Sequence, residues 1–305
     1  MTYHRTVPTK LLWIMLLSAV MASCASDSRE TSERSYANDV LVDTEWIEAN
    51  MEDPRVRVLE VGGNANAFGE GHLPGASFLS MGRLSNPDDP IRGQIATEAQ
   101  VSAALSGVGV GRDQTVVLYD RRNNLSAARA YWVLKYYQHT DVRIYNGGAP
   151  KWTEDGRALS TETTEYEPSN YRAGPADPEI RTTWQYVVDH TDDPSTLFCD
   201  TRGPDEYLGR DVRAARGGHI PGSINVEWTA AVNANGTFKS ADALAALYGG
   251  AGFTPDRQII TYCQSGVRGA HTWFVLSELL GYPSVRNYDG SWGEYGNNPE
   301  SPIES

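Results

Sequence analysis

Cysteine is scarce in this chain, with three among 305 residues. They stand at positions 24, 199 and 263 with no paired-cysteine motif, which excludes both a disulfide framework and a cysteine-rich zinc site. The six histidines form no close pair at metal-ligand spacing, so neither a metal nor a cofactor is expected. Basic residues are also few, 26 Lys and Arg against 39 Asp and Glu, for a net charge of -13. That balance argues against a nucleic-acid partner. The apolar stretch "LLWIMLLSAVMAS" at 11–23 has only 13 residues, short of the roughly 20 that a spanning helix needs.

That stretch reads instead as the core of a signal peptide over residues 1–23, with Arg5 and Lys10 ahead of it. The "MASC" that ends it resembles a bacterial lipoprotein box, with Met21 where leucine is usual. The expectation is an exported, periplasmic protein whose one membrane contact is a lipid on Cys24. The alternative is cleavage nearby and a soluble periplasmic protein. Ala25 and Ser26 follow, without an acidic residue, which points to the outer membrane. Residues 24–38 are polar and read as a tether. Cys199 lies in the short apolar run "STLFCD" and is expected in a core. Cys263 is left over as a candidate reactive thiol.

The chain repeats itself. "EGHLPGASFL" at 70–79 matches "GGHIPGSINV" at 217–226, "TVVLYD" at 115–120 matches "QIITYC" at 258–263, and "DVRIYNGG" at 141–148 matches "SVRNYDGS" at 284–291. Asp120 to Asp141 and Cys263 to Ser284 are both 21 residues. Two domains follow, at 39–160 and 181–300, joined by a proline- and threonine-rich linker at 161–180. In each, short strands alternate with helices, which predicts an α/β fold of two tandem units, each a mostly parallel sheet flanked by helices. Ligands of such sheets bind at the C-terminal ends of strands. His72 and His219 occupy equivalent turns of both repeats and are expected to be structural.

Cys263 ends the predicted strand "QIITYC", and a helical pattern with Ala270, Trp273, Phe274, Leu276, Leu279 and Leu280 on its apolar face follows. The loop "QSGVR" between them, with Gly266 permitting a tight curl, offers backbone N–H groups and the positive end of a helix. Such a cradle favours a thiolate and holds an anion delivered to it. Arg268 closes this loop one residue earlier than in cysteine phosphatases; the smaller ring suits a single sulfur atom.

With "GHIPGSIN", "CQSGVR" and "VRNYDGSWGEYGN" together, the chain resembles a tandem-domain sulfurtransferase of the rhodanese family, over about residues 39–300. The resemblance implies a thiosulfate sulfurtransferase. Its catalytic Cys263 would take a sulfane sulfur as a persulfide and pass it to cyanide or a thiol. The amides of Gln264, Ser265, Gly266, Val267 and Arg268 would hold the persulfide, and Arg202 in "CDTRGPDEY" would bind the anionic donor. Asp120 stands at the position of Cys263 in the first repeat, making 39–160 a non-catalytic partner in which Asp120 caps the following segment or shapes the inter-domain cleft. Gln264 and Ser265 match neither the basic pair of thiosulfate-using relatives nor the glycine-led pair of mercaptopyruvate users. Arg268, as the loop's one positive charge, favours the compact dianion thiosulfate. A 3-mercaptopyruvate sulfurtransferase, and a lipoprotein that carries a persulfide with little turnover, stay open. The oligomeric state is not legible.

Overall fold

The computed structural model describes residues 1–4 and 34–305. The apolar core of the expected signal peptide and Cys24 lie outside the described residues. Residues 34–305 belong to one compact unit.

The first half runs β1 (Leu41–Val42), α1 (Thr44–Asn50), β2 (Val56–Gly62), α2 (Ala65–Glu70), β3 (Ser77–Ser80), α3 (Glu98–Gly107), β4 (Thr115–Tyr119), α4 (Leu125–Tyr136), β5 (Val142–Tyr145) and α5 (Gly148–Glu154). The second runs β6 (Arg181–Thr182), α6 (Trp184–Asp189), β7 (Thr196–Asp200), α7 (Pro204–Tyr207), β8 (Ile224–Asn225), α8 (Ala241–Gly250), β9 (Gln258–Tyr262), α9 (Val267–Trp273), β10 (Val285–Tyr288) and α10 (Ser291–Tyr295). Each half is one five-stranded sheet, ordered β1-β5-β4-β2-β3 and β6-β10-β9-β7-β8. All strand pairs are parallel.

The central strands β4 and β9 are covered on both faces. Ile259, Ile260, Thr261 and Tyr262 are all fully buried, which is why β9 reads as a continuous run rather than an alternation. β9 ends at Tyr262, one residue short of the end expected from sequence, and Cys263 is the residue after it. The two-residue edge strands β1 and β6 carry too little pattern to be read from sequence.

The halves meet through α4 and α9. Tyr131 of α4 packs edge-to-face on Phe274, with ring centroids 4.7 Å apart. One apolar cluster runs from Leu59 and Trp132 of the first half to Trp273, Leu276 and Val285 of the second. α9 continues as a π-helical stretch, Phe274–Leu279. Cys199 sits in this cluster, fully buried, and burial pushes its thiol well up. His72 and His219 are structural: their rings stack on Phe68 and Tyr207, and their backbones bridge to Ser160 and Glu304.

Among the described residues, both connecting segments are packed against the domains. The end of the predicted tether is docked rather than loose. The Ala37 amide donates to the Leu279 carbonyl, Tyr36 Oη to the Lys239 carbonyl, and the Arg34 amide to Asp242. The linker is likewise packed on the first half. Arg57 lies 3.2 Å over the Tyr166 ring, and Tyr171, buried, bonds His139 Nδ1 at 3.0 Å. Aromatic anchors within a polar segment account for both.

Candidate active site

Cys263 is buried, and Gln264, Ser265, Val267 and Arg268, which follow it, line an open cleft of about 640 Å3. The amides of those four residues donate to no described residue. The Gly266 amide does have a partner, which corrects its expected role in holding sulfur: it donates to Ser291 Oγ at 3.1 Å. Ser291 Oγ also accepts from the Cys263 amide at 3.0 Å and donates to the Tyr288 carbonyl at 2.7 Å. One hydroxyl therefore ties both ends of the Cys263 turn to the start of α10. Gly266 is irreplaceable here, having φ +75 and no room for a Cβ, which would stand 2.6 Å from Asp289 Oδ1.

The first half reaches directly into this loop. Arg129 of α4, fully buried, has Nη1 2.7 Å from Asp289 Oδ1, also fully buried. Its Nη1 also points at the Gly266 carbonyl (3.5 Å), and its Nη2 donates to the Gly93 carbonyl at 2.9 Å. Asp289 Oδ2 accepts from the Ile95 amide at 2.7 Å. The Cys263 turn is thus braced by residues from both repeats.

Arg202 is not at the cleft. Its guanidinium is buried, forked onto Asp200 at 2.5–3.0 Å, bonded to the Gly218 carbonyl, and stacked 4.5 Å from the Trp292 ring. With Nε and Nη2 engaged and its charge paired with Asp200, it braces β7 and the "GGHIPG" turn rather than receiving a donor. This corrects the substrate-binding role expected for it.

The cleft's guanidiniums are Arg268, Arg213 and Arg122, facing the carboxylates of Asp205, Glu206, Asp211 and Glu227. Arg268 forks onto Glu206 at 2.6 and 2.9 Å. Burial would lower the Arg268 pKa, but Glu206 and the Cys263 sulfur beside it outweigh burial and raise it. Burial likewise pushes the Glu206 carboxyl up, but Arg268, the Gly203 amide and Arg213 hold it below the ordinary glutamate range. The charge of Arg268 is therefore largely matched, and the cleft is not the simple cationic well expected from sequence. The charged pattern "RDVRAARGG" at 210–218 was the signal for Arg213 that sequence reasoning passed over. Glu206, Arg129, Asp289 and Ser291 carried none, since each acts through a partner distant in sequence.

In the first half, Asp120 occupies the equivalent turn and fills its own cradle. One carboxylate oxygen accepts from the Arg122 and Asn124 amides (2.7 and 3.1 Å), the other from Ser126 and Ala127 (2.6 and 3.0 Å). Complete burial pushes its carboxyl up to about 6, against the pull of these four amides. Asp120 caps α4 as expected, and the turn that would hold an anion holds a side chain of the chain itself.

The architecture defines a tandem α/β protein with one cysteine loop at a strand end. The rhodanese-like domain profile matches it twice, over residues 43–155 and 183–298, and the chain belongs to the rhodanese family. It is 43% identical over 280 residues to the protein named "Sulfur carrier protein TtuD" of Thermus thermophilus, covering 88% of this chain and 98% of that one. It is 42% identical over 275 residues to a Mycolicibacterium smegmatis protein named "Putative thiosulfate sulfurtransferase", covering 88% and 98%. The crystal structure of SseA from Escherichia coli, described among 3-mercaptopyruvate sulfotransferases, superposes with a TM-score of 0.77. Identity there is 29%, over 83% of this chain and 98% of that one.

Proposed function

We propose that the chain is a sulfurtransferase that moves sulfane sulfur from thiosulfate to cyanide or a thiol acceptor through a persulfide on Cys263. The Cys263 thiolate attacks the outer sulfur of thiosulfate. The bond between the two donor sulfurs breaks and its electron pair leaves with sulfite. The resulting Cys263 persulfide anion yields its terminal sulfur to cyanide, forming thiocyanate and restoring the thiolate. The observation that carries this reading is the turn after β9, where Cys263 is followed by four amides that have no partner among the described residues and lie on an open cleft. The thiosulfate assignment is supported by the name of the Mycolicibacterium relative. Mass spectrometry of Cys263 after incubation with thiosulfate and, separately, mercaptopyruvate tests it. Gain of one sulfur from thiosulfate is expected, and gain from mercaptopyruvate alone would overturn the donor assignment.

The ion pair at the loop makes the donor preference adjustable. Arg268→Thr is expected to lower kcat/KM for thiosulfate by about tenfold or more, because one cation is removed from the cleft and Glu206 keeps only Arg213, at 3.6 Å, as a charged partner. The preference should move toward mercaptopyruvate. Glu206→Gln should move it the other way. An unchanged ratio of kcat/KM for the two donors in both variants would contradict the charge argument.

A second reading is a persulfide carrier with little turnover. The matched charge of Arg268 and the carrier name of the Thermus relative favour it. Steady turnover with cyanide at saturating thiosulfate supports the enzyme; stoichiometric loading without turnover supports the carrier. We further propose export and lipid attachment at Cys24, on the sequence pattern alone. Cys24→Ala should then shift the protein from the membrane fraction to the soluble one, and an unchanged membrane fraction would count against it.

A further inference from the structure

We infer that the donor's anionic end is bound by Arg122, supplied by the repeat that has no cysteine. This rests on the proposed transfer at Cys263 and names the residue that would confer its specificity. Arg122 and Leu125 are the first-half residues that line the cleft beside Gln264, Ser265, Val267 and Arg268. Of the three cleft arginines, Arg268 is forked onto Glu206, and Arg213 contacts Asp211 at 2.5 Å and Glu206 at 3.6 Å. Arg122 contacts no carboxylate among the described residues. Its side chain is exposed, with the guanidinium 5.8 Å over the ring of Trp228, a buried cleft-lining residue. At that distance Trp228 offers a weak cation–π attraction while the guanidinium's N–H groups stay available. An anion entering a cleft with more carboxylates than arginines is drawn to the cation whose charge is unmatched.

The backbone of Arg122 is held in place, which a binding residue on a loop requires. Its amide donates to Asp120 Oδ1 at 2.7 Å. Asn123 and Asn124, next in the chain, are held at φ 55 and 59. His271 of α9 bonds the Asn123 carbonyl at 3.2 Å through Nε2, and burial lowers its pKa to about 4, leaving the ring neutral. The turn of the first repeat, closed on the Asp120 carboxylate, thus serves as a rigid platform that carries Arg122 to the second repeat's site. The anionic oxygens of thiosulfate would rest on Arg122 while its outer sulfur points to Cys263.

The test is steady-state transfer from thiosulfate to cyanide, across a range of ionic strength, in the parent and in Arg122→Ala, Arg122→Glu and Arg122→Lys. The position is exposed, so folding should tolerate all three. For Arg122→Ala, KM for thiosulfate should rise about tenfold, the lower end for a charge-assisted contact partly screened by solvent. Arg122→Glu should raise it further, and Arg122→Lys should restore much of the loss. KM should also climb less steeply with salt in Arg122→Ala than in the parent. Parent-like KM and salt dependence in Arg122→Ala, with Cys263 still gaining sulfur, would overturn this inference alone. A parent chain whose Cys263 takes no sulfur from thiosulfate would overturn the proposed function and this inference with it.

Discussion

Cys263→Ser is expected to abolish sulfur transfer, leaving no measurable thiocyanate from thiosulfate and cyanide, while Cys199→Ala retains it. A serine hydroxyl in the same turn cannot form a persulfide, so the loss is of the covalent step itself and not of binding. Cys199 faces the opposite situation. It is fully buried in the core beside Tyr248, and burial drives its thiol toward the neutral, unreactive form. Removing its sulfur leaves a small cavity, and the expected consequence is a modest loss of stability. The check is mass spectrometry of peptides spanning each cysteine after incubation with thiosulfate, together with the thiocyanate assay. Sulfur found on Cys199, or transfer surviving in Cys263→Ser, would remove the chemical basis of the proposed function.

The second large effect is expected at the buried pair between the halves. Arg129→Met leaves the Asp289 carboxylate buried without its closest cation, at 2.7 Å. Breaking a buried ion pair by removing one partner costs about 3–5 kcal/mol. Some compensation comes from Arg181, whose Nε lies 3.5 Å from Asp289 Oδ2. The midpoint of urea unfolding should fall accordingly. Transfer should fall in kcat as well, because Arg129 and Asp289 both abut Gly266 and the Cys263 turn loses its brace. Asp289→Asn alone should be destabilising, and the double variant should lose less than the sum of the two single losses, the signature of direct coupling. Strict additivity would mean that the two side chains do not act as a pair.

Much of the fold was legible because its signals are local. The doubled "GH-PG" turns and the matched 21-residue spacing announce two copies of one unit. The fully buried central strands announce themselves as apolar runs. Both sheets prove wholly parallel and five-stranded, within the expected class. What escaped were the edge strands β1 and β6, two residues each. The docking of residues 34–38 also escaped, since it depends on carbonyls more than 200 positions away.

The site divides along the same line. Sequence alone determined the duplicated α/β plan, the strand-end cysteine, the loop that follows it and the aspartate that stands in its place in the other copy. Each of these follows from residue type and spacing within one strand–turn–helix segment. Only the tertiary structure decided which charges are unmatched. Arg202 and Arg268 both read from sequence as cations for an anionic donor. The fold commits Arg202 to Asp200 and Arg268 to Glu206, and leaves Arg122 of the other repeat facing the cleft. The physical reason is that an arginine's capacity to bind an anion depends on the carboxylates and carbonyls within hydrogen-bonding reach. Asp200 lies two positions from Arg202, but the partners of Arg268 and Arg129 stand 62 and 160 residues away, beyond the range of any local pattern.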